Sequence, residues 1–423
     1  MGLLHRQSLD LGLCSGIFRG LLLCTGLTCA CGPSEPTVLV YPAETDAARA
    51  VLEVDFHKPI TISEMAILRP DERAIVTSDF ERHQLYVGSR DGTLLVLNAD
   101  DGELLWEYDM GGAIASAPLL VEGEPVLLVG SDNGVMLALD LDTREPRWTY
   151  ETQGTVRGRP LLDDNVVYFA NSRDQVFALD ARSGAWRWQY EQPFQGDFTI
   201  HGQAGLTYVG DGDPSVPEGG VIFTGFGNGR VVAIGAGSGE ALWQANVAPP
   251  EGGDFVDSDS TPLVDLASGE VVVSGQETGV YGLSMTDGSQ RWFRPVRGAG
   301  TVVDAGDGGL VFASSLEGIF TVERGGRLRW RRQQDPGVLS TPVVIGSTVL
   351  IGHSESGLLA LDRVSGELLA NLSVGSGISA EPSYDPLFGR VYTISNRGVL
   401  IALRVETEAL HNVASPLPTV AER

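Results

Sequence analysis

Three short stretches contain residue types that could bind a metal, hold a phosphate or attack a carbonyl. The stretch GDGDPSVPEGG groups Asp211, Asp213 and Glu218, but the acidic residues lack the register of a calcium loop and favour a solvated turn. The glycine-rich GFGNGR, residues 225–230, joins two predicted strands instead of opening a helix, so it does not cradle a phosphate. GHSESG, residues 352–357, lacks the spacing of a nucleophile elbow. None of the three predicts catalysis.

Charge and histidine spacing narrow the range of partners. The six histidines are scattered and form no HxH or HExxH pair, so we expect neither a metal site nor a cofactor. The chain has 55 acidic and 29 basic residues, a formal net charge of −26. A surface this acidic repels phosphate backbones, which excludes nucleic acid as an expected partner.

One basic stretch stands out against this acidic composition. ERGGRLRWRR holds five arginines within nine residues, Arg324, Arg327, Arg329, Arg331 and Arg332. Strand alternation predicts Leu328 and Trp330 pointing inward and the arginines pointing to solvent. The alternative is a basic patch that docks a carboxylate-rich partner.

All four cysteines lie near the N-terminus, at positions 14, 24, 29 and 31. Arg6 and Arg19 precede an apolar run over residues 20–30, about half the length that spans a bilayer, which predicts a signal peptide over residues 1–30. The junction LTCAC resembles a bacterial lipobox, with the small residue Ala30 before Cys31. We therefore expect lipidation at Cys31.

Two alternatives to this modification stay open. Cys29 could carry the lipid, although Thr28 would then precede the cleavage, or the signal peptide could simply contain cysteines.

Removing residues 1–30 takes away Arg6, Arg19 and Asp10, so the mature charge is −26 − 1 = −27. A mature chain with one cysteine forms no internal disulfide and depends on its own packing. Residues 31–47 are rich in proline, threonine and small residues and predict a flexible tether.

A tryptophan-ending unit recurs through the rest of the chain. Its final position is occupied by Trp106, Trp148, Trp188, Trp243, Trp292, Trp330 and, in the seventh copy, Ala370. In six copies a glycine lies four residues earlier, where a tight hairpin requires positive φ: Gly102, Gly184, Gly239, Gly288, Gly326 and Gly366. A period near 40 residues with four short strands per copy is typical of a β-propeller. We expect the indoles to fill the wedges between blades, and a ligand-stacking platform is the alternative.

Counting the copies gives seven complete units and a fragment at residues 390–406. The segment ARAVLEVDFHKP, residues 48–59, is a predicted strand without earlier partners. Pairing it with the fragment would complete an eighth blade and close the ring, which removes exposed sheet edges. The prediction is an all-β, eight-bladed propeller over residues 48–405, with seven blades as the alternative, followed by a disordered tail over residues 406–423.

The tryptophan repeat resembles that of quinoprotein alcohol dehydrogenases, which bind pyrroloquinoline quinone. That resemblance implies adjacent cysteines against the cofactor, but no cysteine follows Cys31. A dehydrogenase therefore remains only a remote alternative, and we predict no enzymatic activity.

Two irregular segments resemble the BamB family, the propeller lipoproteins of the bacterial outer-membrane β-barrel assembly machinery. The run DSDSTP, with Asp257 and Asp259, resembles the family's Asp-x-Asp-Thr-Thr-Pro stretch. In DFTIHGQ, Phe198 and Ile200 take the two leucine places of a second family stretch, and His201 takes its arginine place. The resemblance implies that these five residues contact periplasmic domains of the barrel subunit. His201 departs from the pattern because histidine cannot make the forked contact of arginine.

Each of these segments has a structural alternative. Asp257 and Asp259 could cap their own turn, and Phe198 and Ile200 could be an inward-facing strand pair. The resemblance implies a non-enzymatic scaffold, anchored by lipid on the periplasmic side of the outer membrane. It would assist barrel assembly and hold unfolded outer-membrane proteins, by strand addition at a blade edge. The alternative function is a different surface or periplasmic propeller that binds a protein or glycan.

Overall fold

The computed structural model describes residues 51–60, 72–192, 204–212, 216–249, 258 and 260–406, and the backbone of residues 39–42. Within these ranges every regular element is a β-strand. The same ranges hold no helix with the length and apolar character needed to cross a membrane.

Eight antiparallel sheets, seven of four strands and one of five, form the blades of a propeller, which confirms the predicted all-β class and blade number. Blade 1 contains β3 (Thr77–Asp79), β4 (Gln84–Gly88), β5 (Thr93–Asn98) and β6 (Leu104–Asp109). Blade 2 contains β7 (Leu119–Leu120), β8 (Val126–Gly130), β9 (Val135–Asp140) and β10 (Pro146–Glu151). Blade 3 contains β11 (Leu161–Asp163), β12 (Val166–Asn171), β13 (Gln175–Asp180) and β14 (Trp186–Glu191). Blade 4 contains β15 (Thr207–Val209), β16 (Val221–Gly225), β17 (Arg230–Gly235) and β18 (Ala241–Asn246).

The remaining blades follow the same plan, except that the last two also use strands from the N-terminal part of the chain. Blade 5 contains β19 (Leu263–Asp265), β20 (Glu270–Gly275), β21 (Gly279–Ser284) and β22 (Gln290–Pro295). Blade 6 contains β23 (Ala299–Asp304), β24 (Gly309–Ser314), β25 (Gly318–Glu323) and β26 (Leu328–Arg332). Blade 7 contains β27 (Val343–Ile345), β28 (Thr348–His353), β29 (Gly357–Asp362), β30 (Leu368–Ser373) and β1 (Leu39–Pro42). Blade 8 contains β31 (Ser383–Asp385), β32 (Arg390–Ile394), β33 (Val399–Val405) and β2 (Leu52–Pro59).

The strand order gives the propeller two different faces. In each of blades 1 to 6, four consecutive antiparallel strands run from the short inner strand to the outer one. Connections between blades and turns between second and third strands therefore share one face, here called the loop face. Turns between first and second strands, and between third and fourth strands, share the opposite face, here called the turn face. Inner strands of neighbouring blades contact each other around a central channel, for example β27 and β31.

The ring closes as the sequence predicts. β2 pairs antiparallel with β33, from Leu52 opposite Val405 to Pro59 opposite Val399. The guanidinium Nε of Arg390 donates to Asp55 of β2 over 2.5 Å, which ties the two ends of the chain together. Of the predicted tail, Glu406 is described, and its amide donates to Val51 O over 3.1 Å. The rest of the tail and the predicted signal peptide lie outside the described residues.

One strand lies inside the segment predicted as a tether. β1 pairs antiparallel with β30, the outer strand of blade 7, with Leu39 opposite Ser373 and Pro42 opposite Ala370. This strand was not predicted, because four residues without a neighbouring turn or repeat carry no pairing signal. Blade 7 therefore has five strands.

Four of the recurring tryptophans donate a hydrogen bond to the neighbouring blade. Trp188 is 8% exposed, and its indole Nε1 donates to Ala236 O of blade 4 over 2.8 Å. A Cβ built on Gly239 of blade 4 would lie 2.7 Å from this indole, so only glycine fits there. Indole bonds to the next blade recur at Trp148, Trp243 and Trp330. These contacts confirm the wedge-filling prediction, since each ring is covered by the neighbouring blade.

Two interfaces vary this arrangement. Blade 2 has Arg144 at the glycine position, with φ of 62°, and its guanidinium lies 5.2 Å from the centre of the Trp106 ring. In blade 5 the indole of Trp292 donates to its own blade, to Glu270 over 3.2 Å. It occupies the space above Gly282, where a Cβ would lie 2.0 Å from the indole nitrogen.

The prediction that Leu328 points inward is wrong, because this side chain is 39% exposed. Trp330 lies opposite Thr321 and Leu328 lies opposite Val322, so Arg329 is an extra residue in β26. This β-bulge breaks the alternation on which the prediction depended.

The arginines of this stretch are held by nearby groups. Arg324 pairs with Asp265 and Asp304, each over 2.6 Å. Further ion pairs join Arg327 to Glu323, Arg329 to Asp307 and Arg331 to Glu317, and Arg332 donates to Gly366 O. The stretch is therefore neutralised locally, which favours the solvent-exposed strand over the basic docking patch.

Candidate functional site

The two irregular segments leave the loop face on either side of blade 4. One connects β14 to β15 and the other connects β18 to β19. Both replace the short connections that join other blades, such as the one between β22 and β23. The candidate site is therefore this part of the loop face, between blades 3 and 5.

The base of the first connection is fixed by hydrogen bonds at both ends. The amide of Gln192 donates to Asp174 O over 3.0 Å, and its side chain accepts from the Tyr190 hydroxyl over 2.8 Å. Where the chain returns, Ala204 is 5% exposed. Gly205 O accepts from the Thr224 hydroxyl over 3.2 Å.

The base of the second connection is anchored by Ser258, whose side chain has no exposed surface. Its amide donates to Phe226 O of blade 4 over 3.2 Å, and its hydroxyl donates to Ser274 O of blade 5 over 3.0 Å. A Cβ on Gly225 would lie 2.1 Å from Ser258 O, so this approach requires glycine. Ser258 thus bridges the two blades.

The two bases are also connected to each other. The hydroxyl of Thr207, just after the first connection, donates to Pro262 O, just after the second, over 2.5 Å. Gly205 leaves room for Thr261, whose hydroxyl oxygen would lie 2.1 Å from a Cβ at that glycine. The described ends of both connections therefore meet on one platform built by blades 3 to 5.

The residues predicted from the family resemblance lie in the loops themselves. Phe198, Ile200, His201, Asp257 and Asp259 are outside the described residues, as is Cys31. Their proposed roles therefore stay predictions. The structure describes their attachment points, and Ser258 lies between the two aspartates in the chain.

A partly buried acidic residue supports the platform and was not predicted from the sequence. The carboxylate of Asp174 in blade 3 accepts from the amide of Gly227 in blade 4 over 3.1 Å. Burial raises the pKa of Asp174 above its ordinary value, while the Gly227 amide opposes that shift. Asp174 has φ of 56° and stands directly before the third strand, where blades 2 and 4 have Gly134 and Gly229. An aspartate at this glycine position is the sequence signal that could have indicated it.

The acidic stretch after β15 forms a turn. The carboxylate of Asp211 accepts from the amide of Gly219 over 3.2 Å, as expected for a solvated turn. Asp213 lies outside the described residues. Among the residues that are described, no cluster of three histidine, cysteine or acidic side chains has the geometry to hold a metal ion.

Comparison with known families shows to which family this propeller belongs. The family model for outer membrane protein assembly factor BamB matches residues 60–126 and 120–325, which include both irregular connections. The chain belongs to the BamB family. BamB of Vibrio cholerae is 31% identical over 315 residues, covering 72% of this chain and 78% of that protein. BamB of Shewanella oneidensis is 23% identical over 308 residues, covering 71% of this chain and 64% of that protein.

Solved structures show the same fold. BamB from Moraxella catarrhalis superposes with a TM-score of 0.69 at 19% identity, covering 84% of this chain and all of that one. A quinohemoprotein alcohol dehydrogenase from Comamonas testosteroni reaches 0.64 at 14% identity, covering 86% of this chain and 78% of the other. At such identities the likeness concerns the propeller fold alone, so it assigns no dehydrogenase chemistry to this BamB-family chain.

Proposed function

We propose that this chain is a non-enzymatic scaffold that assists assembly of β-barrel proteins into the outer membrane. It docks periplasmic domains of the barrel subunit through the two loops that rise from blades 3 to 5. Family membership supports this, because the matching relatives are outer membrane protein assembly factors.

The observation that carries the docking proposal is the shared platform. The two long connections on either side of blade 4 have their described ends on one face, and hydrogen bonds of Ser258 and Thr207 fix these ends. Loops positioned by a rigid scaffold are where recognition residues concentrate. The five residues Phe198, Ile200, His201, Asp257 and Asp259 lie in these two segments.

The proposed location follows from the N-terminal residues. Lipidation at Cys31 would place the propeller at the outer membrane, on the periplasmic side, where the barrel subunit's soluble domains are accessible. The membrane is contacted through the lipid alone in this proposal. A second role for the same scaffold is to hold unfolded barrel segments along a free outer strand by strand addition.

The test is charge reversal in the second loop. The variant Asp257→Lys/Asp259→Lys should lose the barrel subunit on co-purification from membranes while keeping the wild-type melting temperature. Removing partners from interfacial charge pairs weakens binding by roughly ten- to a hundredfold. The quantity measured is the amount of barrel subunit recovered per propeller, beside a thermal melt of each variant.

A matched control reverses two charges on the turn face. Glu122 and Glu240 are exposed, and neither carboxylate has a hydrogen bond or ion pair within the described structure. Glu122→Lys/Glu240→Lys changes the net charge equally and should retain the partner. A lowered melting temperature with full recovery of the barrel subunit by the Asp257/Asp259 variant would show instead that the aspartates only cap their own turn.

A further inference from the structure

The fourth strands of the eight blades differ in how well their outer edge is protected against pairing with another strand. Six of them, β2, β6, β10, β14, β22 and β26, carry at least one charged residue. The other two carry neither a charge nor a proline: β18 has the sequence ALWQAN and β30 has LLANLS. Charged residues and proline at a sheet edge discourage pairing with another chain, so β18 and β30 are the two strands that lack this protection.

The chain itself covers one of these two edges. β1 pairs antiparallel with β30, from Leu39 opposite Ser373 to Pro42 opposite Ala370. β18, in contrast, pairs with β17 alone within the described residues. Blade 7 therefore shows that an unprotected fourth strand of this propeller accepts a fifth, antiparallel strand.

The covered and the uncovered strand share a residue pattern. The segment of β30 that β1 covers, residues 370–373, reads ANLS, and the aligned segment of β18, residues 243–246, reads WQAN. Both begin at the tryptophan position of the repeat, and both alternate an apolar residue with a polar one. β18 thus offers an added strand the same pattern as the strand that β1 covers.

The backbone of β18 presents hydrogen-bonding groups at this edge. In an antiparallel pair, the backbone groups of successive residues point alternately towards the partner strand and away from it. The amide of Val247 donates to Gly229 O over 2.9 Å, so Val247 and Ala245 direct their backbone groups towards β17. The backbone groups of Gln244 and Asn246 therefore point to the outer edge.

The side chains of β18 favour an added strand of alternating polarity. Trp243 and Ala245 lie half-buried against the core between blades 4 and 5, whereas Gln244 and Asn246 are exposed. Because side chains of neighbouring strands pair on the same face of a sheet, an added strand would place apolar residues beside the first pair and polar residues beside the second. Strands of outer-membrane barrels have this alternation, in segments of about ten residues.

We propose that β18 is the edge at which this propeller binds an extended, antiparallel segment of an unfolded outer-membrane barrel protein. This inference rests on the proposed scaffold function and names the strand that performs strand addition. β18 leads directly into the second irregular connection, so the bound segment lies beside the loops proposed to dock the barrel subunit.

The test measures binding of a defined peptide to the full chain, purified in detergent. The probe is an uncharged, end-capped decapeptide of alternating valine and threonine with a fluorescent label, and its anisotropy reports binding. A matched peptide carries N-methyl groups on its central amides, which removes their hydrogen-bond donors. The unmodified peptide should bind at least roughly tenfold more tightly, because several hydrogen bonds are lost together in the methylated one. Absence of binding, or equal binding of the two peptides, would overturn the proposal.

Variants of the propeller locate the edge. Gln244→Pro removes the outward amide donor, and proline is tolerated where its nitrogen faces away from the partner strand, so peptide binding should weaken at least roughly tenfold. Gln244→Ala is the control at the same position, since it loses the side-chain bond to the Tyr190 hydroxyl but keeps the amide. Gln189→Pro makes the same change at the aligned position of β14, whose edge carries Arg187 and Glu191. Both controls should bind like wild type.

A thermal melt of each variant accompanies the titrations. If Gln244→Pro fails to fold, Gln244→Lys places a charge at the edge without altering the backbone and should also bind more weakly. Wild-type affinity in the folded Gln244 variant, or an equal loss in Gln189→Pro, would refute β18 as the binding edge.

Two further measurements separate this proposal from docking through the loops and from self-association. Gln244→Pro should still recover the barrel subunit from membranes, so failure of peptide binding with full recovery of the subunit would refute strand addition at β18 and leave docking intact. Sedimentation of the wild-type chain should show a monomer. A dimer that Gln244→Pro dissociates would assign the edge to a second copy of the chain and contradict the proposal.

Discussion

The interface between blades 3 and 4 and the interface between blades 7 and 8 are filled by different side chains. In the first, Trp188 reaches across to Ala236 and lies under Gly239, both in the turn between the third and fourth strands of blade 4. In the second, Ala370 stands at the tryptophan position. Blade 8 has no such turn, because its outer strands β33 and β2 come from opposite ends of the chain.

The difference shows that tryptophan occupies this position where the next blade has a turn between its third and fourth strands. At four interfaces the indole contacts a carbonyl and a glycine of the next blade, and one continuous hairpin supplies both. At the seam between blades 7 and 8, Val51 and Leu52 fill the wedge instead, each at most 3% exposed and packed with Leu372. The missing tryptophan is thus a consequence of where the ring closes.

The largest effect is expected at the interface between blades 7 and 8, because its packing depends on the N-terminal strand β2. Deleting residues 48–60 removes Val51, Leu52 and β2 and leaves the buried strand β33 as an edge. We expect a loss of several kcal/mol, since each large apolar side chain contributes about 1.5–3 kcal/mol when buried. Thermal melting should show a much lower or uncooperative transition. Deleting residues 407–423 serves as the comparison, and equal melting temperatures for the two truncations would contradict closure by β2.

Two glycines with similar φ test whether the regular interface depends on the contact between glycine and indole. Gly184 has φ of 69°, and its Cβ would lie 2.7 Å from the Trp148 indole, whereas Gly375 has φ of 70° and no atom within 4 Å. Gly375→Ala should lose about 1–2 kcal/mol of unfolding free energy from backbone strain alone. Gly184→Ala should lose about 1–3 kcal/mol more because the indole is displaced. Denaturant unfolding measures both, and equal losses would mean that the indole does not need the glycine.

The smallest expected effect concerns the turn that blade 8 lacks. In blade 3 this turn is held by Asp180, which accepts from Arg187 over 2.9 Å. The hydrogen bonds from Arg187 and Ser183 lower the pKa of Asp180 to about 2. A carboxyl with a lowered folded-state pKa stabilises the fold above its unfolded pKa and loses that contribution as the pH falls towards 2.

Asp180→Asn should therefore melt slightly below wild type at neutral pH, and the difference should disappear near pH 2. Thermal melts across this pH range provide the measurement, with Glu151→Gln as a control because Glu151 is exposed and its carboxylate has no bond within the described structure. A difference that persists at the acid end would assign the effect to the amide itself and not to the lost charge.

Much of the fold could be predicted because the signal is repeated. Seven copies of the tryptophan unit fix the strands, and an unpaired strand at each end fixes the closure. β1 was missed because it has no repeat. The extra residue Arg329, which turns Leu328 outward, was missed although the same register shift recurs at the corresponding position of the other six repeat units. Alternation alone does not predict a bulge, because a bulge depends on the pairing of two strands and not on one strand's pattern.

The candidate site was predictable only in part. The interruptions of the period indicated where the loops are, since a long connection stands out against a regular repeat. Ser258 and Asp174 could not be predicted as anchors, because each acts through a neighbouring blade that only the fold brings close.

If Cys31 carries a lipid as predicted, the short strand β1 limits where the propeller can be attached to a bilayer. A lipid on Cys31 would stand eight residues before Leu39, a reach of at most about 29 Å even when fully extended. Blade 7, which β1 joins, lies diametrically across the eight-bladed ring from blade 3, where the first loop departs. The chain would then be attached beside blade 7, on the opposite side of the ring from the ends of the proposed docking loops. A small rotation about this attachment point would displace that opposite side more than any other part of the ring.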